Sequence, residues 1–356
     1  MKTYIYCFSV LLFCFACAPK TNTKDLIEEL PTKQILKVDT IGTFEDEFLF
    51  AKEFLVYNDS VLIVLNKAYQ GINFIECYDL VNKKHIRKLF RYGNGPNEML
   101  SARVHLNNNN LYVNDYIKAQ IAIINIDSLI ISEDYDVKIL EHKAYGLPTA
   151  VICNNKFILE NPYYFNDEKL KINQGKSRFI STNGNKPYEY SISYPYNTRN
   201  VSVDGCIITN DNRKRIIYAS MHNPDLELYD YNLNVIKVFN SLPELEAEYL
   251  INGIDESNEK EIIFRKNIPY AYLDYTTDNE YVYLVYMGSL LRENTAMKDY
   301  PNWILKFDWD CNLLEKYYIN AYILSVSKST KNDTFYITIL NEEENPLLLK
   351  LQHIDL

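Results

Sequence analysis

One phrase recurs six times along this chain: an apolar segment, a tight turn rich in asparagine and aspartate, then a second segment of tyrosine, isoleucine, leucine and valine. The turns are Asn58-Asp59, Asn107 to Asn110, Asn154-Asn155, Asn210 to Lys214, Thr277 to Asn279 and Lys331 to Asp333. Asparagine and aspartate tolerate left-handed backbone angles, and β-branched and aromatic residues favour strands, so each phrase reads as a β-hairpin. Most units continue with two further strand-like runs, such as 74–80 with 85–90, 121–126 with 135–140, 226–231 with 235–239 and 303–309 with 314–319. Four strands per unit at a period of roughly 45–65 residues is the spacing of a β-propeller. The expected fold is therefore all-β, a six-bladed β-propeller with four-stranded blades. After 322–327, 334–340 and 347–351 the chain ends one strand short. Gln34 to Val38 is strand-like and is expected to complete the last blade, closing the ring and removing an open edge. Residues 34–356 are read as one domain.

The N-terminus sets an address. Lys2 is followed by an apolar run from Tyr4 to Ala16, too short to span a bilayer and right for a signal-peptide core, so 1–16 reads as a signal peptide. Ala16-Cys17 places a small residue before a cysteine at the end of that run, which marks Cys17 for lipidation and leaves 17–33 as a polar tether. No aspartate follows the cysteine in Ala18-Pro19-Lys20, which points to an outer membrane with the domain facing the periplasm. The lipid would be the only membrane contact. A net charge of -10 excludes nucleic acid as a natural partner. The remaining cysteines, Cys77, Cys153, Cys206 and Cys311, sit singly inside apolar runs, a pattern of buried thiols that leaves one bridged pair open.

Arg91-Tyr92-Gly93-Asn94-Gly95-Pro96-Asn97-Glu98 is the most distinctive stretch. Its residue types suit a sharp exit from a strand: glycines accept unusual angles, Asn97 tolerates the left-handed region, and the Glu98 carboxylate can accept backbone N–H groups that the turn leaves open. Gly93, Gly95, Pro96 and Glu98 match the Gly-x-Gly-Pro-Gly-Glu blade ending of the TolB-like six-bladed propeller lipoproteins of the bacterial envelope, relatives of the NHL-repeat propellers. The chain resembles that family, with Asn97 in place of the last glycine. The resemblance implies a fold and a compartment and transfers no catalytic residue.

Strand directions alternate in a propeller, so second-to-third-strand loops and inter-blade connections share one rim. The long segments fall there: Asn161 to Gln174, Ser241 to Lys266, in which Pro243 to Leu250 admits a short helix, and Gly288 to Pro301. Loops gathered on a rigid rim are where binding resides. The expected ligand contacts are Tyr92, Asn94, Glu98, Tyr163, Tyr164, Lys169, Arg292, Lys298 and Tyr300. No catalytic constellation and no metal-ligand spacing is present: Ser325-Val326-Ser327-Lys328 lies on an expected strand, and Asp308 to Asn312 lacks the glycine and final acid of a calcium loop. The favoured reading is a non-enzymatic envelope module for a peptide, glycan or protein partner, with no cofactor. The alternative is a hydrolase, lyase or lactonase with carboxylates, and Ca²⁺, at the central channel. Three or more carboxylates converging there would favour the alternative; an apolar or plugged channel would favour the binding module.

Overall fold

The computed structural model describes residues 30, 32–33, 37–41 and 50–352, apart from 108, 133, 143–148, 154–155, 161–164, 168–171, 175–177, 183–204, 240–247, 254–259, 267, 292–295, 297–298, 330–333, 342 and 344. The segment read as a signal peptide, with Cys17, Tyr163, Tyr164, Lys169, Arg292 and Lys298, lies outside the described residues.

Two short strands open the chain, β1 (Thr32–Lys33) and β2 (Lys37–Thr40). The first sheet follows with β3 (Ala51–Tyr57), β4 (Val61–Asn66), β5 (Asn73–Asp79), β6 (Lys84–Tyr92) and a fifth strand, β7 (Glu98–Met99), parallel to β6. The second contains β8 (Arg103–Asn107), β9 (Asn110–Asp115), β10 (Gln120–Asn125) and β11 (Val137–Glu141), with helix α1 (Ile126–Ile131) between the last two. The third has β12 (Ala150–Cys153), β13 (Lys156–Glu160) and, after a separate hairpin of β14 (Phe165–Asp167) and β15 (Ile172–Gln174), β16 (Phe179–Thr182). The fourth is β17 (Gly205–Asn210), β18 (Arg215–Ser220), β19 (Leu226–Asp230) and β20 (Val235–Phe239). A hairpin of β21 (Glu248–Gly253) and β22 (Lys260–Lys266) leads to the fifth: β23 (Ile268–Thr277), β24 (Tyr281–Leu291), β25 (Asn302–Asp308) and β26 (Leu313–Ile319). The sixth is β27 (Ile323–Lys328), β28 (Thr334–Leu340) and β29 (Pro346–Gln352). These are consecutive, mainly antiparallel sheets of a β-propeller.

Turn chemistry explains the hairpins. Asn58 and Asp59 both take positive φ (47° and 57°) while the Ser60 N–H donates to the Tyr57 carbonyl at 3.1 Å, the geometry that lets two residues reverse a twisted pair of strands. Each central strand is covered on both faces by neighbouring sheets, so it reads as a continuous apolar run rather than an alternation; all six residues of β4 are buried. The expected helix over Pro243 to Leu250 is not what forms at its end, because Glu248 to Leu250 belong to β21 and pair with β22. Helix α1 was not expected from its strand-like sequence. Asn125 initiates it by accepting the Ser128 N–H at 2.9 Å, and Ile126 and Leu129 become fully buried.

Apolar clusters join neighbouring sheets: Leu55, Ile63 and Leu111 between the first and second, Ile121 and Phe157 between the second and third, Val151 and Ile216 between the third and fourth. Leu228, Phe307 and Trp309 join the fourth and fifth, Tyr317 and Phe335 the fifth and sixth, and Phe54, Val64, Tyr336 and Leu348 the sixth and first. At that last junction hydroxyls supplement the packing. Thr338 Oγ1 accepts the Phe54 N–H at 3.2 Å, Ser327 Oγ accepts the Val56 N–H at 3.0 Å, and Ser325 Oγ donates to the Phe54 carbonyl at 2.8 Å.

The N-terminal strands lie against the far end of the chain. β2 pairs antiparallel with β29, Lys37 opposite Gln352 and Thr40 opposite Leu349, so the strand expected over Gln34 to Val38 is observed two to three residues later. β1, within the segment read as tether, pairs in parallel with β26 of the fifth sheet.

Candidate functional site

The first strand of each sheet is an outermost member of its hydrogen-bonded order, and β12, β17, β23, β27 and β3 pack one on the next, so these strands form the inner wall. Glu53, Arg103 and Cys206 occupy equivalent places on that wall, each four residues before the last residue of its strand (Tyr57, Asn107 and Asn210). Asp274 stands three before Thr277, an offset that accompanies a slip in β23–β24 pairing between Tyr272 and Asp274. All four are only partly accessible, and their charges act on one another: Arg103 on Glu53, Cys206 and Asp274, and Glu53 on Asp274. Four sheets thus bring a carboxyl pair, a guanidinium and a thiol within electrostatic reach of one another on that wall, as a polar ring. The ring lies toward the rim at which the inner strands begin, where inter-sheet connections arrive.

Hydrogen bonding fixes the acid. Asp274 Oδ2 accepts the Val326 N–H of β27 at 2.8 Å, and two residues on Thr276 Oγ1 accepts the Lys328 N–H at 3.2 Å, so these side chains also sew the fifth sheet to the sixth. Burial raises the Asp274 carboxyl to about 8, with the Glu53 charge adding to it, while the Val326 and Tyr275 N–H groups and Arg103 pull the other way. Burial likewise raises Glu53, against the opposing pull of Lys52 and Arg103. At neutral pH Asp274 carries a proton and can donate it in a hydrogen bond. His105, stacked on Tyr112 at 4.7 Å, is held neutral by burial, which lowers it to about 4.

These shifts oppose one another in stability. His105 and His142, both lowered to about 4 by burial, make the fold less stable as pH falls from about 6.5. Asp274 binds its proton more tightly in the folded state than unfolded, so its contribution is full below about 4 and is lost as pH rises to about 8. Between pH 7 and 8 the histidines are mostly neutral in both states and Asp274 dominates. Stability is expected to fall with rising pH across that window by on the order of 1 kcal/mol per unit. Urea titrations at pH 7 and 8 check this: Asp274→Asn should remove the fall, and an equal fall in the variant would assign it to other groups.

Among the described residues no group of three or more histidine, cysteine, aspartate or glutamate side chains could hold a metal ion. Among the described residues the inner wall brings together the Glu53 and Asp274 carboxyls, and the Glu160 charge also acts on Cys206, so the wall is polar rather than apolar. Cys77, Cys153, Cys206 and Cys311 are all free thiols.

Residues 43–330 match the family described as TolB-like 6-blade propeller-like. The chain belongs to the TolB-like propeller family. A member of the DUF4221 family from Bacteroides vulgatus superposes with a TM-score of 0.53 at 14% identity, covering 89% of this chain and 98% of that one, and so shares the fold. A protein named as exported from Bacteroides fragilis aligns with a TM-score of 0.48 at 10% identity, over 90% of this chain and 96% of that one. No curated protein matches the sequence.

The glycine-rich stretch of this TolB-like chain is a turn held by its own glutamate. Glu98 Oε2 accepts the Gly95 N–H at 2.7 Å, the Gly93 N–H donates to the Met99 carbonyl at 2.9 Å, and Asn97 adopts φ 58°. A Cβ at Gly93 would lie 2.2 Å from Glu98 Oε2, so glycine is needed for the carboxylate to fold back. Lys118 Nζ caps the turn through the carbonyls of Gly95 and Glu98, at 3.2 and 2.8 Å. Glu98 is thereby committed to backbone, while Tyr92 and Asn94 remain exposed beside it. Tyr300 does not reach the surface: it is 8% exposed and packs with Met287 and Tyr322. Sequence reasoning missed Glu53, Arg103 and Asp274. The signal that would have found them is a charged residue three or four places before the end of the first strand in three units.

Proposed function

We propose that this chain is a lipid-anchored cell-envelope binding module, held at the outer membrane through Cys17 and facing the periplasm, whose ligand enters at the connection-rich rim and reaches the polar ring of Glu53, Arg103 and Asp274. The observation that carries the reading is that ring, drawn from separate sheets and placed beneath the rim to which Tyr92, Asn94, Tyr163, Tyr164, Lys169, Arg292 and Lys298 are assigned. An enclosed site with a few convergent polar groups is the usual form of a ligand pocket. The ligand is a peptide, glycan or protein segment that offers hydrogen-bonding groups to a protonated acid and a guanidinium.

The scaffold is taken as six blades, with the three-stranded sheet as one of them and β2 completing the last. Support comes from the six apolar clusters, each spanning consecutive sheets and the last spanning sixth and first, and from the β2–β29 pairing. A second reading draws on the same ring, since a carboxyl raised to about 8 beside another carboxyl can serve as a general acid in a hydrolase or lyase.

Soluble residues 21–356 immobilised and exposed to envelope extract test the binding reading. A partner retained by the parent, and lost by the folded Glu53→Gln/Asp274→Asn and Tyr164→Ala/Arg292→Ala variants, is expected. Equal capture by all three proteins, or none by any, contradicts it. For the anchor, Cys17→Ser in the full chain should move the protein from the membrane fraction to the soluble one, and unchanged partition would remove the lipid from the account.

A further inference from the structure

The rim opposite the polar ring, formed by first-to-second-strand turns, carries a groove of about 930 Å³ shared by the second, third and fourth sheets. Three lysines converge on it from different sheets: Lys138 on β11, Lys156 at the start of β13 and Lys214 in the β17–β18 turn. All three are exposed, and none has a hydrogen-bond or ion-pair partner among the described residues. Alternation along β11 turns Lys138 and Leu140 into the groove, while Val137 packs into the cluster between the first and second sheets. The one described acid in the lining, Asp211, accepts a 2.5 Å hydrogen bond from the Tyr231 hydroxyl.

In a chain of net charge -10, three ammonium groups with no partner among the described residues around one depression are a local reversal of sign. Such a site holds anions and repels cations. Its floor selects further, because Ile152 and Phe157 offer apolar surface while Tyr112, Tyr231 and Asn110 offer ring faces and hydrogen-bonding groups. Sugar rings present C–H faces to aromatic side chains and hydroxyls to polar ones. Nucleic acid fits poorly, since the rest of the molecule would repel its backbone.

We propose that this groove binds an acidic oligosaccharide, its carboxylates met by Lys138, Lys156 and Lys214 and its rings laid on the floor between the second and third sheets. The site is separate from the polar ring and stands whether or not that ring binds anything.

The test is calorimetry of soluble residues 21–356 with trigalacturonate, with uncharged maltotriose and triglutamate as comparison probes. The expected result is binding of trigalacturonate that weakens with salt and falls roughly tenfold or more in Lys138→Ala/Lys156→Ala/Lys214→Ala. The lysines are exposed, so the variant should keep its thermal transition, and a Lys→Arg triple variant should retain binding. No heat with trigalacturonate at millimolar concentration, equal affinity in the alanine variant, or equal binding of triglutamate or maltotriose would overturn the proposal.

Discussion

Arg178→Met is expected to destabilise the protein by about 3–5 kcal/mol, because it strands buried carboxylates. Arg178 lies one residue before β16, and its guanidinium reaches across to the fourth sheet, where Nε and Nη2 meet the two oxygens of Glu227 at 3.0 and 2.5 Å. Both side chains are little exposed, at 13% and 16%. The same guanidinium stacks over the Tyr218 ring at 4.4 Å, and the Tyr218 hydroxyl donates to Glu160 of the third sheet. One arginine therefore satisfies a network that spans two sheets beside the long 161–178 connection. Gly205 makes room for it, since a Cβ there would lie 2.5 Å from the Tyr218 hydroxyl. Arg178→Lys should recover only part of the loss, because an ammonium cannot supply the fork or the planar stack. Urea unfolding of the three proteins measures this, and a loss under about 1 kcal/mol would place the pair among ordinary surface bridges.

Thr338→Val should cost about 1–3 kcal/mol although it preserves shape, because it removes the acceptor of a buried backbone donor. Thr338 is fully buried, accepts the Phe54 N–H and lies 2.7 Å from Ser325 Oγ, which itself holds the Phe54 carbonyl. These bonds cross the junction between the sixth and first sheets, where chain neighbours are hundreds of residues apart and no covalent link assists. Adding Ser325→Ala should cost less than the sum of the single losses, since both act on Phe54. Strict additivity in chemical denaturation would show that the hydroxyls act independently.

Most of the strand framework was legible in the sequence because two local rules agree in every unit: turn residues that accept positive φ, as at Asn58-Asp59, and β-branched runs on either side. Helix α1 was illegible because Ile126 to Ile131 is as apolar and branched as a strand, and what decides it is the Asn125 cap with burial of Ile126 and Leu129. β7 was hidden inside the Gly93–Glu98 stretch, where the Arg91–Glu98 and Tyr92–Met99 pairings depend on the turn folding back first. The turn itself was read from its residue types, and Glu98 and Asn97 take the roles those types suggest. The polar ring was invisible for a different reason. Glu53, Arg103 and Asp274 are single charges in unremarkable strands, and only closure of the sheets around an axis turns equal positions in distant units into neighbours.

The most direct measurement of that convergence is the carbon-13 carboxyl titration of Asp274 by NMR, in the wild-type protein and in Glu53→Gln. A midpoint near 8 that moves down when the Glu53 charge is removed is the expected result. A midpoint near the ordinary value of about 4, unmoved by Glu53→Gln, would mean that the two carboxyls do not share an enclosed site and would contradict the account.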